Sequence, residues 1–221
     1  MGCPVARWLS CPGSSPARNL FVTFEGGEGA GKSTQARLLA DALRARGQAT
    51  CLTREPGGAP GAELLRTLLL AGTHDWSSAA ETYLHFAARA EHLERTIRPA
   101  RAAGAWVVCD RYADSTMAYQ GYGQGGDRAL IAALTRLLPV QPDRTLVLSA
   151  SPGITAARMA TRMIKRGAIL DRYERQDAAF HERVRAGFAA IAAADPDRCR
   201  VIDAGGTQAE THALVLAALG L

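Results

Sequence analysis

Residues 20–36 read LFVTFEGGEGAGKSTQA, and this stretch decides the fold. Residues 20–24 form a short apolar run, which is typical of a buried strand. Residues 26–33 match the phosphate-loop pattern G-x-x-x-x-G-K-S, and residues 35–46 continue with a helical pattern. Because such a loop needs a strand before it and a helix after it, the three parts support one another. The stretch predicts a phosphate-binding loop between a strand and a helix.

The residue types of the loop explain how it would hold a nucleotide. Glycines let several backbone N–H groups point at a phosphate, and the helix N-terminus adds a partial positive charge. Lys32 would reach the β- and γ-phosphates, and the Ser33 hydroxyl would hold Mg²⁺. We therefore expect the phosphates of a nucleotide to be bound by Gly26, Gly27, Glu28, Gly29, Ala30, Gly31, Lys32, Ser33 and Thr34.

Four further apolar runs predict buried strands at 50–53, 106–109, 145–149 and 200–202. Helical patterns separate them, and this alternation indicates βαβ units and a parallel sheet. We predict an α/β protein of the P-loop NTPase type, a three-layer fold with a central five-stranded parallel sheet flanked by helices. Residues 19–221 form one predicted domain, and residues 1–18 read as an irregular tail.

The composition of the chain excludes several classes of protein. Among 221 residues, 48% are hydrophobic and 21% are charged, which is ordinary for a globular protein and excludes disordered or collagen-like chains. No apolar run reaches the roughly 18 to 20 residues of a membrane span. The net charge of +5 comes without a Lys/Arg run, so nucleic-acid binding is not favoured. The five cysteines show no CxxC spacing, and we expect reduced thiols in the cytoplasm.

A carboxylate for the metal is predicted at the end of the third strand. Asp110 closes the apolar run 106–109, and Arg111 follows it directly. Phosphate-loop enzymes use an aspartate at such a strand end to hold Mg²⁺ beside the loop serine. Ser33 and Asp110 are therefore the predicted metal ligands.

Two helix starts carry clear signals. Ser78 followed by Glu81 predicts a capping box that opens a long helix over 78–103, and Gly104 would end it. Ser151 followed by Pro152 predicts a second start, because proline at the first helical position loses no hydrogen bond.

The residues favour a small-molecule kinase. A GTPase would need an Asn-Lys-x-Asp segment, and Lys32 and Lys165 are the only lysines of the chain. A phosphorylated acceptor would need guanidinium groups that grip its phosphate oxygens. Arg54 and Arg111, at two strand ends, are the predicted groups.

Four motif blocks, in order and correctly spaced, resemble those of bacterial thymidylate kinases. They are residues 24–35, residues 53–58 (TREPGG), residues 110–121 with Asp110-Arg111-Tyr112, Ser115 and Ala118-Tyr119-Gln120-Gly121, and Asp171-Arg172 with Glu174. The resemblance runs from about Leu20 to the C-terminus. It implies ATP- and Mg²⁺-dependent conversion of dTMP to dTDP by a cytoplasmic homodimer, with a helical lid at about 158–175.

The resemblance also implies roles in the acceptor site. Glu28 would hydrogen-bond the 3′-hydroxyl of the deoxyribose, and Arg89 would reach the base or the phosphate. The family usually stacks an aromatic ring on thymine four residues before this arginine, where the chain has His85 followed by Phe86. Either ring could stack. The rest of the predicted pocket is lined by Thr116, Tyr119 and Gln120, with Tyr119 crowding a 2′-hydroxyl.

The lid is expected to supply the catalytic cation. Gly29 stands where the eukaryotic branch of the family has an arginine, so the loop itself has none to offer. Arg158, Arg162 and Arg166 are spaced four apart and would share one helical face. The predicted catalytic residues are Lys32, Asp110, Arg111, Arg162 and Arg166.

Two alternatives stay open at this point. One is another nucleoside or nucleotide kinase of the same fold, which the pair Glu28 and Tyr119 argues against because it suits a 2′-deoxy sugar. The other is a nucleotide-binding regulatory module without turnover, which should lack the lid arginines.

Overall fold

The computed structural model describes residues 19–72, 74–166 and 172–221, with the side chains of residues 165 and 166 outside that description. Within these residues, five strands form one parallel sheet in the order β2-β3-β1-β4-β5. The strands are β1 Phe21–Glu25, β2 Thr50–Arg54, β3 Trp106–Asp110, β4 Arg144–Ser149 and β5 Cys199–Asp203.

All five predicted strands are confirmed, with bounds that differ by about one residue. Strand β1 is buried along its whole length, as expected for a parallel sheet covered on both faces. The register pairs Phe24 with Asp110 on β3 and with Leu146 on β4. The loop that follows β1 therefore opens beside the end of β3.

Helices cover both faces of this sheet. They are α1 Lys32–Ala45, α2 Pro60–Leu70, α3 Ser78–His92, α4 Arg98–Ala102, α5 Ala113–Thr116, α6 Arg128–Arg136, α7 Pro152–Arg166, α8 Ala178–Ala194 and α9 Gln208–Leu219. On one face Phe24 packs with Leu39 of α1 and Val215 of α9. On the other, Phe21 and Val107 pack with residues of the α3–α4 connection. The predicted three-layer α/β architecture is confirmed.

The helix predicted over 78–103 is interrupted. Helix α3 ends at His92, a π-helical segment covers Leu93–Ile97, and α4 follows. Pro99 explains the wider turn, because it has no N–H to donate and its ring crowds the carbonyl four residues earlier. Gly104, with a φ of 73°, ends α4 as predicted. A second π-helical segment, Met117–Gly123, follows α5.

The predicted capping box at Ser78 is wrong. Ser77 is the N-cap, and its hydroxyl accepts a hydrogen bond from the N–H of Ala80. The side chain of Glu81 is buried between α3 and the second π-helical segment, where it accepts a hydrogen bond from Gln120. The predicted start of α7 at Pro152 is confirmed.

None of the helices in the described ranges has the length and apolar character that a bilayer crossing requires. The predicted tail, residues 1–18, lies outside the described residues. The predicted lid, about 158–175, lies within them except for residues 167–171 and the side chains of residues 165 and 166.

Candidate active site

A cleft of about 720 Å³ opens at the carboxyl ends of β1, β2 and β3. Open parallel sheets bind ligands at this edge, where neighbouring loops diverge. The predicted site residues that line it are Glu28, Gly29, Ala30, Gly31, Lys32, Ser33, Thr34, Arg54, His85, Arg89, Asp110, Arg111, Thr116, Tyr119, Gln120 and Arg162. Gly26, Gly27 and Phe86 are not part of this lining.

The phosphate loop forms one end of the cleft. Gly31 caps α1 in a left-handed conformation, with a φ of 99°. Lys32, the first residue of α1, is buried, and its Nζ donates a hydrogen bond to the carbonyl of Gly27 at 2.6 Å. Burial and the neighbouring Arg111 both disfavour the ammonium form, and they lower the pKa of Lys32 to about 8.

Helix α7 lies directly against this loop at Gly29. The φ of Gly29 is 73°, and a Cβ built on it would lie 2.6 Å from the carbonyl oxygen of Thr155 and 3.1 Å from Cγ of Met159. Only glycine fits both the backbone conformation and this close approach. The contact brings the helix that carries the predicted lid arginines to the end of the cleft that the phosphate loop forms.

Ser33 and Asp110 meet beside the loop. The Ser33 hydroxyl donates a hydrogen bond to Oδ2 of Asp110, while Oδ1 of Asp110 is buried and has no hydrogen-bond partner among the described residues. An unsatisfied carboxylate oxygen next to a serine hydroxyl fits a bound Mg²⁺. The described residues hold no cluster of three or more His, Cys, Asp or Glu side chains suited to a metal.

Glu28, Arg111 and Tyr119 form a compact charged cluster in the middle of the cleft. Arg111 forms an ion pair with Glu28, and the Tyr119 hydroxyl donates to the same carboxylate oxygen at 2.8 Å. Burial alone would raise the pKa of Glu28, but the charges of Arg111 and Lys32 outweigh it, and the pKa falls to about 2. The carboxylate inside the phosphate loop is therefore neutralised by cations of the site itself.

Arg111 reaches this cluster through an unusual backbone. Its φ is 73°, a value that residues with a side chain rarely adopt. Its N–H donates to the carbonyl of Phe24 at 2.9 Å, and its guanidinium donates to the hydroxyl of Ser115 at 3.1 Å. The turn after β3 is thus fastened to the end of β1, and it directs the guanidinium into the cleft.

Sequence reasoning missed Glu25, the last residue of β1. Its two carboxyl oxygens accept hydrogen bonds from the N–H of Tyr112 at 2.7 Å and from the Ser115 hydroxyl at 2.5 Å. Burial, reinforced by the charge of Asp114, raises the pKa of Glu25 to about 8. Glu25 supports the turn that carries Arg111, and a lone acid at a strand end gives no signal of that role.

Arg89 lies in a buried polar network that sequence reasoning only partly predicted. Its Nε pairs with Glu55 at 2.7 Å, and the two side chains are 2% and 4% exposed. His92 Nδ1 lies 3.0 Å from the other oxygen of Glu55. The Nη1 atom of Arg89 is buried and has no hydrogen-bond partner among the described residues. Because Arg89 also lines the cleft, a ligand acceptor atom would satisfy this donor.

The end of the cleft beyond Arg89 is formed by His85 and residues around it. Nε2 of His85 lies 2.9 Å from the hydroxyl of Tyr173. Phe86 instead packs under the guanidinium of Arg89, 4.7 Å from its ring centre. Of the two predicted stacking residues, His85 therefore faces the cleft and Phe86 supports Arg89.

Comparison with known proteins identifies the family. The thymidylate kinase family model matches residues 24–215. A thymidylate kinase of Gluconobacter oxydans is 53% identical over 91% of this chain and 94% of its own length. A thymidylate kinase of Caulobacter vibrioides is 52% identical over 85% and 89%. The solved structure of a thymidylate kinase from Ehrlichia chaffeensis covers 91% of this chain and 98% of its own, with 36% identity and a TM-score of 0.74.

The chain belongs to the thymidylate kinase family. The predicted resemblance is therefore confirmed. The P-loop kinase fold predicted for residues 20 onward agrees with the solved relative.

The predicted arginines at the rim of this kinase cleft differ in their surroundings. Arg54 lies at the end of β2, about half exposed, and pairs with both carboxylate oxygens of Glu63 at 3.0 Å. Arg158 of α7 donates to the carbonyl of Gly206 at 2.8 Å, and Arg162 forms an ion pair with Glu174. The side chain of Arg166 lies outside the described residues. Two of the three lid arginines, Arg158 and Arg162, thus line the cleft from α7.

The kcat/KM for ATP should depend on the charge of Lys32 at alkaline pH. The pKa of Lys32 lies near 8, below its ordinary value of 10.5, so the ammonium group loses its proton as the pH rises through about 8. The neutral amine attracts phosphate less, and kcat/KM for ATP should therefore fall above pH 8. Initial rates at subsaturating ATP across pH 6.5 to 9.5 measure this, because kcat/KM reports groups of the free enzyme.

Glu25 is the matched control, because its pKa also lies near 8. The variant Glu25→Gln should keep the alkaline fall of kcat/KM. If the fall disappears in that variant, Lys32 is not the group that titrates.

Proposed function

We propose that this chain transfers the γ-phosphoryl group of ATP to dTMP and so forms dTDP. One observation carries the proposal: a phosphate loop and a cationic acceptor end line the same cleft. Family membership supports the same reaction, since the matched relatives are thymidylate kinases.

The donor end would hold the phosphates of ATP. Backbone N–H groups of the loop and the Lys32 ammonium would bind the β- and γ-phosphates. Ser33 and Asp110 would hold Mg²⁺, which when bound supplies charge neutralisation between phosphate oxygens. Phosphoryl transfer depends mainly on positioning and on charge stabilisation, and the chain supplies both from rigid elements.

The acceptor end would hold the monophosphate and its sugar. Arg111 reaches into the middle of the cleft and would grip the acceptor phosphate, with Arg54 at the rim as a second guanidinium. Glu28 is ionised and would accept a hydrogen bond from the 3′-hydroxyl of the sugar. Tyr119 is fixed on Glu28 and would leave little room for a 2′-hydroxyl. A phosphate dianion is itself the nucleophile, so the reaction requires no general base.

The base would lie near Arg89 and His85. Buried Nη1 of Arg89 is a donor that needs an acceptor, and the carbonyl oxygens of thymine provide one. We expect this donor to face the O4 carbonyl of thymine, where cytosine carries an amino group that is itself a donor and would leave Arg89 unsatisfied. Thr116 and Gln120 line the same end of the cleft and would complete the base pocket. The geometry thus favours thymine or uracil over cytosine.

A panel of acceptors tests the proposal. A coupled assay with ATP and dTMP, dUMP, dCMP, dGMP or AMP should give the largest kcat/KM with dTMP. Comparable or larger values with dGMP or AMP would contradict a thymidylate acceptor and favour another nucleotide kinase of this fold.

The catalytic cation is proposed to come from α7. Because Gly29 places no cation in the loop, one of Arg158, Arg162 and Arg166 should meet the charge that develops during transfer. A transition-state arginine is worth about 10³ to 10⁵ in turnover in related phosphoryl transfers. At least one of the three alanine variants should therefore lose about a hundredfold or more in kcat, with little change in either KM.

The other outcome is equally clear. If all three variants raise the KM for ATP and leave kcat intact, the α7 arginines only bind the ground-state phosphates. The cation would then have to be supplied by another group, such as Arg172, which pairs with Glu81 at 2.8 Å.

The rest of the proposal rests on family membership. We infer a cytoplasmic homodimer in which residues 19–221 form one kinase domain and residues 158–175 act as its lid. Light scattering of the purified chain at assay concentration measures the predicted dimer directly.

A further inference from the structure

The hydroxyl of Tyr173 lies at the centre of a buried hydrogen-bond network at the base end of the cleft. It donates to Oε1 of Glu81 at 2.7 Å and lies 2.9 Å from Nε2 of His85. Nε2 of Gln120 lies 3.2 Å from the same hydroxyl oxygen and 2.7 Å from the same carboxylate oxygen. All four side chains are buried. Three elements meet here: helix α3, the second π-helical segment and the residues before α8.

The direction of these hydrogen bonds fixes the proton on His85. A hydroxyl has one proton to donate, and the proton of Tyr173 goes to the carboxylate of Glu81. The hydroxyl oxygen must then accept from Nε2 of His85. A neutral imidazole carries one N–H, so the ring is the Nε2–H tautomer and its Nδ1 is unprotonated.

The charges around His85 keep the ring neutral. Arg89 faces it from the same helix, Arg111 from the turn after β3, and Arg172 from the residue before Tyr173. Burial first, and then these three guanidinium groups, lower the pKa of His85 to about 3. The carboxylate of Glu81 acts in the opposite sense, but Arg172 pairs with it at 2.8 Å and Tyr173 stands between it and the ring.

We propose that Tyr173 is a positioning residue that holds His85, the ring beside the proposed base site, as a neutral Nε2–H imidazole. Glu81 anchors Tyr173 in this arrangement. A neutral ring offers an uncharged pyrimidine a flat partner and adds no further cation to a pocket that already faces three guanidinium groups. The identity of the base rests on the proposed function, whereas the tautomer and its cause do not.

The first test measures the tautomer in the free protein. Nitrogen NMR of ¹⁵N-labelled protein at pH 7 should show a His85 ring with Nε2 protonated and Nδ1 unprotonated. The variant His85→Phe assigns the signal by removing it. An imidazolium, or a ring protonated at Nδ1, overturns the proposal, and this result does not depend on which nucleotide is phosphorylated.

The second test separates positioning from structural support. The variant Tyr173→Phe removes one oxygen atom and keeps the ring, so its KM for dTMP should rise about fivefold, the equivalent of one hydrogen bond. Its KM for ATP should stay unchanged and its kcat should stay within about twofold. Its NMR spectrum should show a mixture of His85 tautomers.

A double-mutant cycle gives the decisive comparison. In a His85→Phe background there is no imidazole to orient, so adding Tyr173→Phe should leave the KM for dTMP unchanged. An equal rise of KM in both backgrounds would show that Tyr173 acts only through packing, and it would overturn the proposal. Melting temperatures of the three variants verify that all of them are folded. If Tyr173→Phe does not fold, the NMR measurement on the unsubstituted protein still decides the question.

Discussion

Replacing Lys32 with alanine should lower turnover by about 10³-fold or more and leave the fold intact. The ammonium group is the side-chain cation of the phosphate loop, and a single arginine that neutralises the transferred phosphate is worth about 10³ to 10⁵ in related reactions. The substitution removes no core packing, because the side chain points along the loop to the carbonyl of Gly27. Single-turnover rates at saturating ATP and dTMP measure the loss.

The control for Lys32→Ala is Arg46→Ala. Arg46 is an exposed basic residue at the other end of α1, so its removal changes the net charge equally and should leave turnover within about twofold. The melting temperature of Lys32→Ala should stay close to that of the unsubstituted protein. A Lys32→Ala variant that keeps more than a tenth of the turnover of the unsubstituted protein would contradict the assignment of the loop as the ATP site.

Replacing Arg89 with methionine should cost about 3 to 5 kcal/mol of unfolding free energy. Arg89 and Glu55 are 2% and 4% exposed, and the substitution leaves the Glu55 carboxylate buried without its guanidinium partner. Uncompensated buried charges are among the most destabilising changes known in proteins. Methionine keeps most of the side-chain volume, so the loss reports charge and hydrogen bonding more than a cavity. Urea denaturation measures it.

The double variant Arg89→Met with Glu55→Gln provides the matched test. Removing the charge of Glu55 as well should restore more than half of the lost free energy, because glutamine needs no cation. If the double variant is as unstable as the sum of its single variants, the two side chains do not interact as the structure indicates. Neither Arg89→Met nor the double variant should use dTMP efficiently, because both lack the Arg89 donor.

The sequence predicts the strand, loop and helix that form the site better than it predicts the buried acids that hold the site residues in place. The strand, loop and helix around Lys32 follow from local patterns, and Asp110 follows from its place after an apolar run. These features depend on residues close in the chain, which is why periodicity and spacing reveal them. The predicted sheet is confirmed, and most of the predicted site residues line one cleft.

The supporting acids could not be predicted in the same way. Glu25, Glu55 and Glu81 lie at a strand end, beside a predicted arginine and in the first turn of a helix, where an exposed acid is ordinary. Their burial depends on packing between elements far apart in sequence, such as α3 against the second π-helical segment. The sequence pattern therefore predicts a capping box for Glu81, while its partners in the structure include Gln120 and Tyr173.

The contact between Gly29 and α7 constrains how this enzyme could evolve a different source for its catalytic cation. An arginine at position 29 would need the space that the Thr155 carbonyl occupies, 2.6 Å from where its Cβ would lie. Such a mutation alone would displace helix α7, which carries the arginines proposed as the source of the catalytic cation, before the new arginine could act. Moving the catalytic arginine from the lid to the phosphate loop therefore requires mutations in a fixed order. Helix α7 must first shift away from the loop, and position 29 can change only afterwards.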